Sequence, residues 1–238
     1  MLLFLKWRDA IRLMMSFAIW GVFGLATAAD PAAGYPSRPI RFVASTAAGG
    51  GNDILPRLLG MHMAANWNQQ VIVDLRPGAA AIAGTQFAAH AVPDGYTLIV
   101  ISNTYSLNLS LYEKLPYDTL KDLDRVSLFA VAPLVLVAHP TVPAQSLPEV
   151  IRLVQEKPAQ IDYFGVLVTG GTPRSIIAKL HHEIRRIIAL PVVKAQFDDL
   201  GVEPVDYGPE QFTAFVKADI SKWAKIFAES GIKTTSIQ

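Results

Sequence analysis

The chain has 238 residues, 51% hydrophobic and 17% charged, with a formal net charge of +1, a mean hydropathy of +0.31 and no cysteine. That length and apolar content suffice for one or two domains with a buried core and exclude a globally disordered chain. The lack of cysteine excludes disulfides, thiolate metal sites and a cysteine nucleophile, and a charge near zero gives no whole-protein attraction to nucleic acid.

At the amino end, Lys6, Arg8 and Arg12 stand against one acid, Asp9. An uncharged, mostly apolar run follows from Leu13 to Leu25, and then Ala26-Thr27-Ala28. A basic flank, a short apolar stretch and a small-residue exit predict a signal peptide over residues 1–28, cleaved on export. The competing reading is an uncleaved membrane anchor, but the run is short for a hydrocarbon core of about 30 Å, which takes about 20 residues. Cleavage removes three basic residues and one acid, moving the formal charge from +1 to −1, so the basic balance belongs to the export segment.

Asp30 to Pro39 reads as an extended leader. Ile40 to Ala44 is a short strand, Gly49-Gly50-Gly51 breaks it, and Asn52 is a candidate N-cap for a helix to about Ala65. Val71-Ile72-Val73 is a second strand, Arg76-Pro77-Gly78 a turn, and an alanine-rich helix runs to Ala91. Pro93-Asp94-Gly95 turns the chain into a third strand, Thr97 to Ile101. Repeated strand–helix units predict one parallel sheet, with helices packed on its faces.

Further on, Ser127 to Ala138 is an apolar strand-like run interrupted at Pro133, and Ser146-Leu147-Pro148-Glu149 is a capping box opening a helix to about Glu156. Ile161 to Phe164 and Val166 to Val168 are strand-like. Thr172-Pro173 is expected to cap a helix with Ile176, Ile177, Leu180, Ile184, Ile187 and Ile188 on one stripe. A short helix from Val192 to Leu200 stops at Gly201. The last helix starts near Pro209, keeps Phe212, Phe215, Val216, Ile220, Trp223, Ile226 and Phe227 at helical spacing as core, and ends at Gly231.

Two loops could carry chemistry. Thr46 to Asp53, with Gly49, Gly50, Gly51 and Asn52 between, joins the first strand to the first helix. Glycines let a ligand approach the backbone, and a helix amino end offers free N–H groups to an anion. With Asp74 this imitates a dinucleotide-binding unit, but the G-x-G-x-x-G spacing is missing, and the plain alternative is a tight turn. The second loop, Ser102-Asn103-Thr104-Tyr105-Ser106, follows strand three at the same sheet edge, with hydroxyls and an amide able to hold a carboxylate; its plain alternative is an ordinary polar loop. The candidate ligand-binding residues are therefore Thr46, Gly49, Gly50, Gly51, Asn52, Asp53, Ser102, Asn103 and Thr104, with Asp53 expected to orient its loop or a bridging water. His181-His182-Glu183 lacks zinc spacing and reads as an exposed helix face, Arg185-Arg186 reads as solvated, and no G-x-S-x-G elbow occurs. No catalytic residue, cofactor or metal is expected.

Taken together, Tyr35-Pro36-Ser37-Arg38-Pro39-Ile40, Gly49 to Ile54, Arg76-Pro77-Gly78-Ala79, Pro93 to Leu98 and Leu115-Pro116-Tyr117-Asp118 form an ordered series. So do Gly171-Thr172-Pro173, Gly201-Val202-Glu203-Pro204 and Trp223-Ala224-Lys225 in the tail. This series resembles the Bug-type solute-binding receptors of tripartite tricarboxylate transporters over nearly all of the exported chain. The resemblance implies a periplasmic-binding-protein-like α/β fold and a periplasmic receptor. It implies binding of a small carboxylate or related metabolite, which is handed to the membrane permease components of the transporter, with no enzyme activity.

The sequence departs from the family in places. Ser45-Thr46 stands where the family usually has Pro-Phe, and Leu75 where it has Asn. At Phe164-Gly165-Val166-Leu167 the chain already resembles the return segment into the first domain, so a large internal block of the second domain is missing. The expected organisation is a nearly complete parallel-sheet domain from residues 29–125 and 170–238, plus hinge strands and a second-domain remnant at 126–169. A shortened lobe implies impaired binding and self-association through open strand edges. The alternatives are a non-functional gene remnant of such a receptor and an exported α/β enzyme.

Overall fold

The computed structural model describes residues 30–133 and 161–230, together with Ser146, Glu149 and residues 234–236. The signal segment and most of the helix expected after Ser146 lie outside the described residues, as does Gly231. The strands are β1 (Ile40–Ala44), β2 (Val71–Leu75), β3 (Thr97–Ile101), β4 (Leu123–Pro133), β5 (Ile161–Thr169) and β6 (Glu203–Tyr207). The helices are α1 (Gly51–Trp67), α2 (Ile82–Ala89), α3 (Thr104–Leu111), α4 (Arg174–Ile188), α5 (Pro191–Asp199) and α6 (Pro209–Ser230).

All six strands form one sheet in the order β2-β1-β3-β5-β4-β6. The strands β1, β2 and β3 are parallel, as their helical connections require, with Ile40 opposite Val71 and Phe42 opposite Leu98. The other half is mixed, because β5 runs antiparallel to β3 and to β4, and β6 antiparallel to β4. Pro133 lies opposite Ile161, so β4 ends and β5 begins at the carboxyl edge of the parallel strands.

Side chains alternate between the two faces with the strand period. Ile40, Phe42, Leu98, Val100, Val166 and Val168 pack with Leu55, Leu59 and Met63 of α1, the isoleucine stripe of α4, and Phe197 of α5. Val43, Ile99, Ile101 and Leu167 pack on the other face with Ile82 of α2, Tyr105 of α3, and Phe212 and Val216 of α6. The tail stripe is core packing, as its spacing predicts, with Phe212, Val216 and Trp223 buried. Gly165 is required where β5 passes under α6: a Cβ there would lie 2.1 Å from the Phe212 ring.

Local expectations shift at the helix ends. Gly50, not Asn52, is the N-cap of α1, and Asn52 sits buried inside the first turn. The alanine-rich helix ends at Ala89, with His90 as its cap. Thr172 does not cap α4: its hydroxyl donates to the Thr169 carbonyl at 2.7 Å, and Pro173 is the N-cap. Glu183 is not on an exposed face. It is buried and takes hydrogen bonds from Asn66 of α1 at 2.8 Å and from Arg186 at 2.7 Å. Arg185 pairs with Asp206 of β6 at 2.9 Å, so neither arginine of that pair is simply solvated.

Candidate functional site

The first loop leaves β1 at Ala44 and enters α1 at Gly51. Gly49 has φ +86°, a left-handed turn that suits glycine. Asp53 closes the loop from within the helix. One carboxylate oxygen accepts the Gly49 N–H at 2.9 Å and the other accepts the Arg57 Nε–H at 2.7 Å. Asp53 thus orients the loop as expected, and its charge is already paired. The Asp53 N–H donates to the Gly50 carbonyl at 2.9 Å, and the Gly51 and Asn52 amides before it stand at the open start of the helix. Around them the Ser45 and Thr46 hydroxyls and the Asn52 carbonyl oxygen are buried without a hydrogen-bond partner among the described residues. Phe164 of β5 roofs this turn so closely that a Cβ on Gly51 would lie 2.6 Å from its ring.

The second expected loop is mostly helix. Asn103 is the N-cap of α3, and Thr104, Tyr105 and Ser106 form its first turn. The Ser102 and Thr104 hydroxyls lie 3.3 Å apart at the amino end. Asn103 does not cap with its own side chain; its N–H donates to Asp162 Oδ1 of β5 at 3.1 Å. Ser106 meets the Tyr163 hydroxyl at 2.6 Å, and burial holds that phenol far above its ordinary range, so it stays protonated.

A third segment joins them that the sequence reading did not single out as a site. After Arg76, Gly78 has φ +139°, and Ala79, Ala80 and Ala81 follow at +45°, +51° and +71°. A left-handed run of alanines is costly and persists only where its surroundings hold it. Here the Arg76 N–H donates to the Ala44 carbonyl at 2.8 Å, and Asn108 of α3 donates to the Ala80 carbonyl at 2.9 Å. The Asn108 side chain also meets the buried Tyr117 phenol. Burial also pushes the Tyr117 phenol up to about 12.

Three residues are new to the sequence reading: Asn108, Asp162 and the positive-φ Ala80. Asn108 had a signal, a polar residue three positions after Tyr105 on a buried face. Alanine, a helix former, gave no warning of its backbone. No cluster of three metal-ligating side chains occurs among the described residues.

Residues 55–170 match the family described as tripartite tricarboxylate transporter family receptor. Over that stretch the chain is similar to those receptors. It is 36% identical to BugT of Bordetella pertussis over 152 residues, 61% of this chain and 46% of that protein. It is also 36% identical to a UPF0065 protein of the same organism over 137 residues, 56% of this chain and 42% of that protein. The chain thus spans less than half the length of these two relatives. A third match, 21% identical, is to the UPF0065 protein in the tcbD-tcbE intergenic region of Pseudomonas sp. (strain P51). It runs over 292 positions, 82% of this chain and 87% of that protein. Among solved structures, the periplasmic binding protein BugD aligns with TM-score 0.76 and 19% identity, covering 84% of this chain and all of that one. MatC of Rhodopseudomonas palustris with bound malate aligns with TM-score 0.73 and 21% identity, covering 81% of this chain and 99% of that one. These likenesses show the fold: α/β, of the periplasmic-binding-protein kind. The matched family is one of receptors and the solved neighbour BugD is a binding protein, neither an enzyme, in line with the expectation from the sequence.

Proposed function

We propose that this chain is a periplasmic solute-binding receptor. It captures a small carboxylate or related metabolite for the permease components of a tripartite tricarboxylate-type transporter. The proposed ligand lies over Thr46, Gly49, Gly50, Gly51, Asn52 and Asp53 on one side and Ser102, Asn103 and Thr104 on the other. One observation carries this reading. At one sheet edge, polar atoms at the amino end of α1 are buried and without a partner among the described residues: Ser45 Oγ, Thr46 Oγ1 and Asn52 Oδ1. Buried polar groups are normally satisfied, and a ligand with carboxylate and hydroxyl groups would satisfy these. Asp53, already held by Arg57, adds no free negative charge to repel it.

The proposed organisation keeps residues 1–28 as a cleaved signal, 29–125 with 170–238 as the first domain, and 126–169 as hinge strands and a shortened second lobe. A match over 292 positions is longer than this chain of 238 residues and requires gaps in it, which supports a missing internal block. That observation also supports the second reading, a remnant receptor that folds and binds poorly.

Thermal unfolding of the exported chain with millimolar malate, adipate or succinate separates the two, because a ligand that binds only the native state raises the melting temperature. The receptor reading expects at least one acid to stabilise the protein, with the gain lost in Gly50→Val and Thr104→Ala. No stabilisation by any of them favours the remnant.

A further inference from the structure

We propose that Asp162 is a specificity-determining residue of this site: it fills the amino end of α3 with a carboxylate of the chain's own, and so selects monocarboxylates whose far end donates a hydrogen bond. The inference rests on the receptor reading above. Asp162 Oδ1 accepts the Asn103 N–H at 3.1 Å and its neighbour Tyr163 N–H at 2.9 Å. A ligand carboxylate approaching Ser102, Asn103 and Thr104 would seek that same Asn103 amide. The position is occupied by an intramolecular anion.

The charge around Asp162 is not compensated by any described residue. Among the described residues no cation pairs with it. The group facing it from α6 is a second acid, Asp219, which is 6% exposed. Lys222 binds Asp219 Oδ1, while Oδ2 is buried with no partner. Two carboxylates and one ammonium leave a net negative spot. Burial first, and then the charge of Asp219, push the Asp162 carboxyl above the ordinary carboxylate range, against the two amide hydrogen bonds that pull it down. A second ligand carboxylate brought here meets like charge in a partly desolvated place and finds its amide donor taken. A carboxamide or hydroxyl instead offers an N–H or O–H to the Asp162 carboxylate, whose two amide hydrogen bonds both fall on Oδ1.

Calorimetric titration of the exported chain with succinate and succinamate tests this, since the two differ only in a carboxylate replaced by a carboxamide. Succinamate is expected to bind about tenfold more tightly or better, in the range that one buried charge or donor controls. Asp162→Asn retains an acceptor for the α3 amide and removes the charge. It should bring the two ligands within about threefold of each other, mainly by tightening succinate. Asp162→Ser, a second acceptor without charge, should do the same, with circular-dichroism melts reporting that each variant folds. Equal affinities in the unaltered protein, or an unchanged preference in both variants, overturn the inference alone. Binding of malate, adipate or succinate without binding of succinamate also overturns it and leaves the receptor reading standing, whereas binding of none of these acids overturns both.

Discussion

The two faces of the sheet are built differently. On the α1, α4 and α5 side the interior is apolar from Ile40 to Phe197, and its buried polar residues sit at helix starts or on a helix–helix seam, as Asn52, Asp53 and Glu183 do. On the α2, α3 and α6 side, apolar residues share the interior with Thr85, Ser106 and Asn108 and with the hydroxyls of Tyr105 and Tyr163. The first face is held by area removed from water and tolerates no cavity. The second is held in part by specific hydrogen bonds, each sensitive to the loss of one partner. The candidate site draws on both: Thr46 to Asp53 open α1 of the first face, and Ser102 to Thr104 open α3 of the second.

Three tests sharpen that contrast, in falling order of effect. Phe197→Ala removes a fully buried ring from the apolar face and is expected to cost about 3–5 kcal/mol. Chemical denaturation would measure the loss, and a cost under about 1 kcal/mol would show that this face is not the close-packed one. Ser106→Ala leaves the buried Tyr163 hydroxyl without its partner and should cost about 1–3 kcal/mol. Adding Tyr163→Phe to it should recover part of that cost, which a purely apolar face would not show. The smallest effect belongs to pH. Because the Asp162 carboxyl lies above its ordinary value, its contribution to stability is fully present below the unfolded carboxylate range. That contribution is lost as pH rises through its folded value. Asp162→Asn abolishes this titration. Its melting temperature should exceed that of the unaltered protein at about pH 8, and the difference should close by about pH 4, near the unfolded value. A difference that does not vary with pH would mean that Asp162 carries no buried charge.

The sequence was informative about the apolar face and about the parallel strands. The isoleucines from Ile176 to Ile188 recur at helical spacing, and Ile40–Ala44 and Thr97–Ile101 are short apolar runs between turn residues, so periodicity and turn chemistry fix their type. Gly49 and Asp53 were legible for the same reason: the turn and its tie lie four residues apart. The first loop, whose residues supply the positive-φ turn and the loop tie, was therefore legible at the carboxyl edge, although its N-cap is Gly50 and not the expected Asn52.

What the sequence did not determine depends on partners far along the chain. The mixed half of the sheet exists because β5 inserts between β3 and β4, a register set by which faces bury together and not by local propensity. The end of α3 is capped by Asp162, 59 residues beyond Asn103, and the Ala80 carbonyl is held by Asn108, 28 residues on. Propensity names residues that can cap a helix or form a turn from their own neighbours. It cannot name a cap or a tie that arrives from another strand, because that hydrogen bond is specified only when the long-range packing has brought donor and acceptor together out of water.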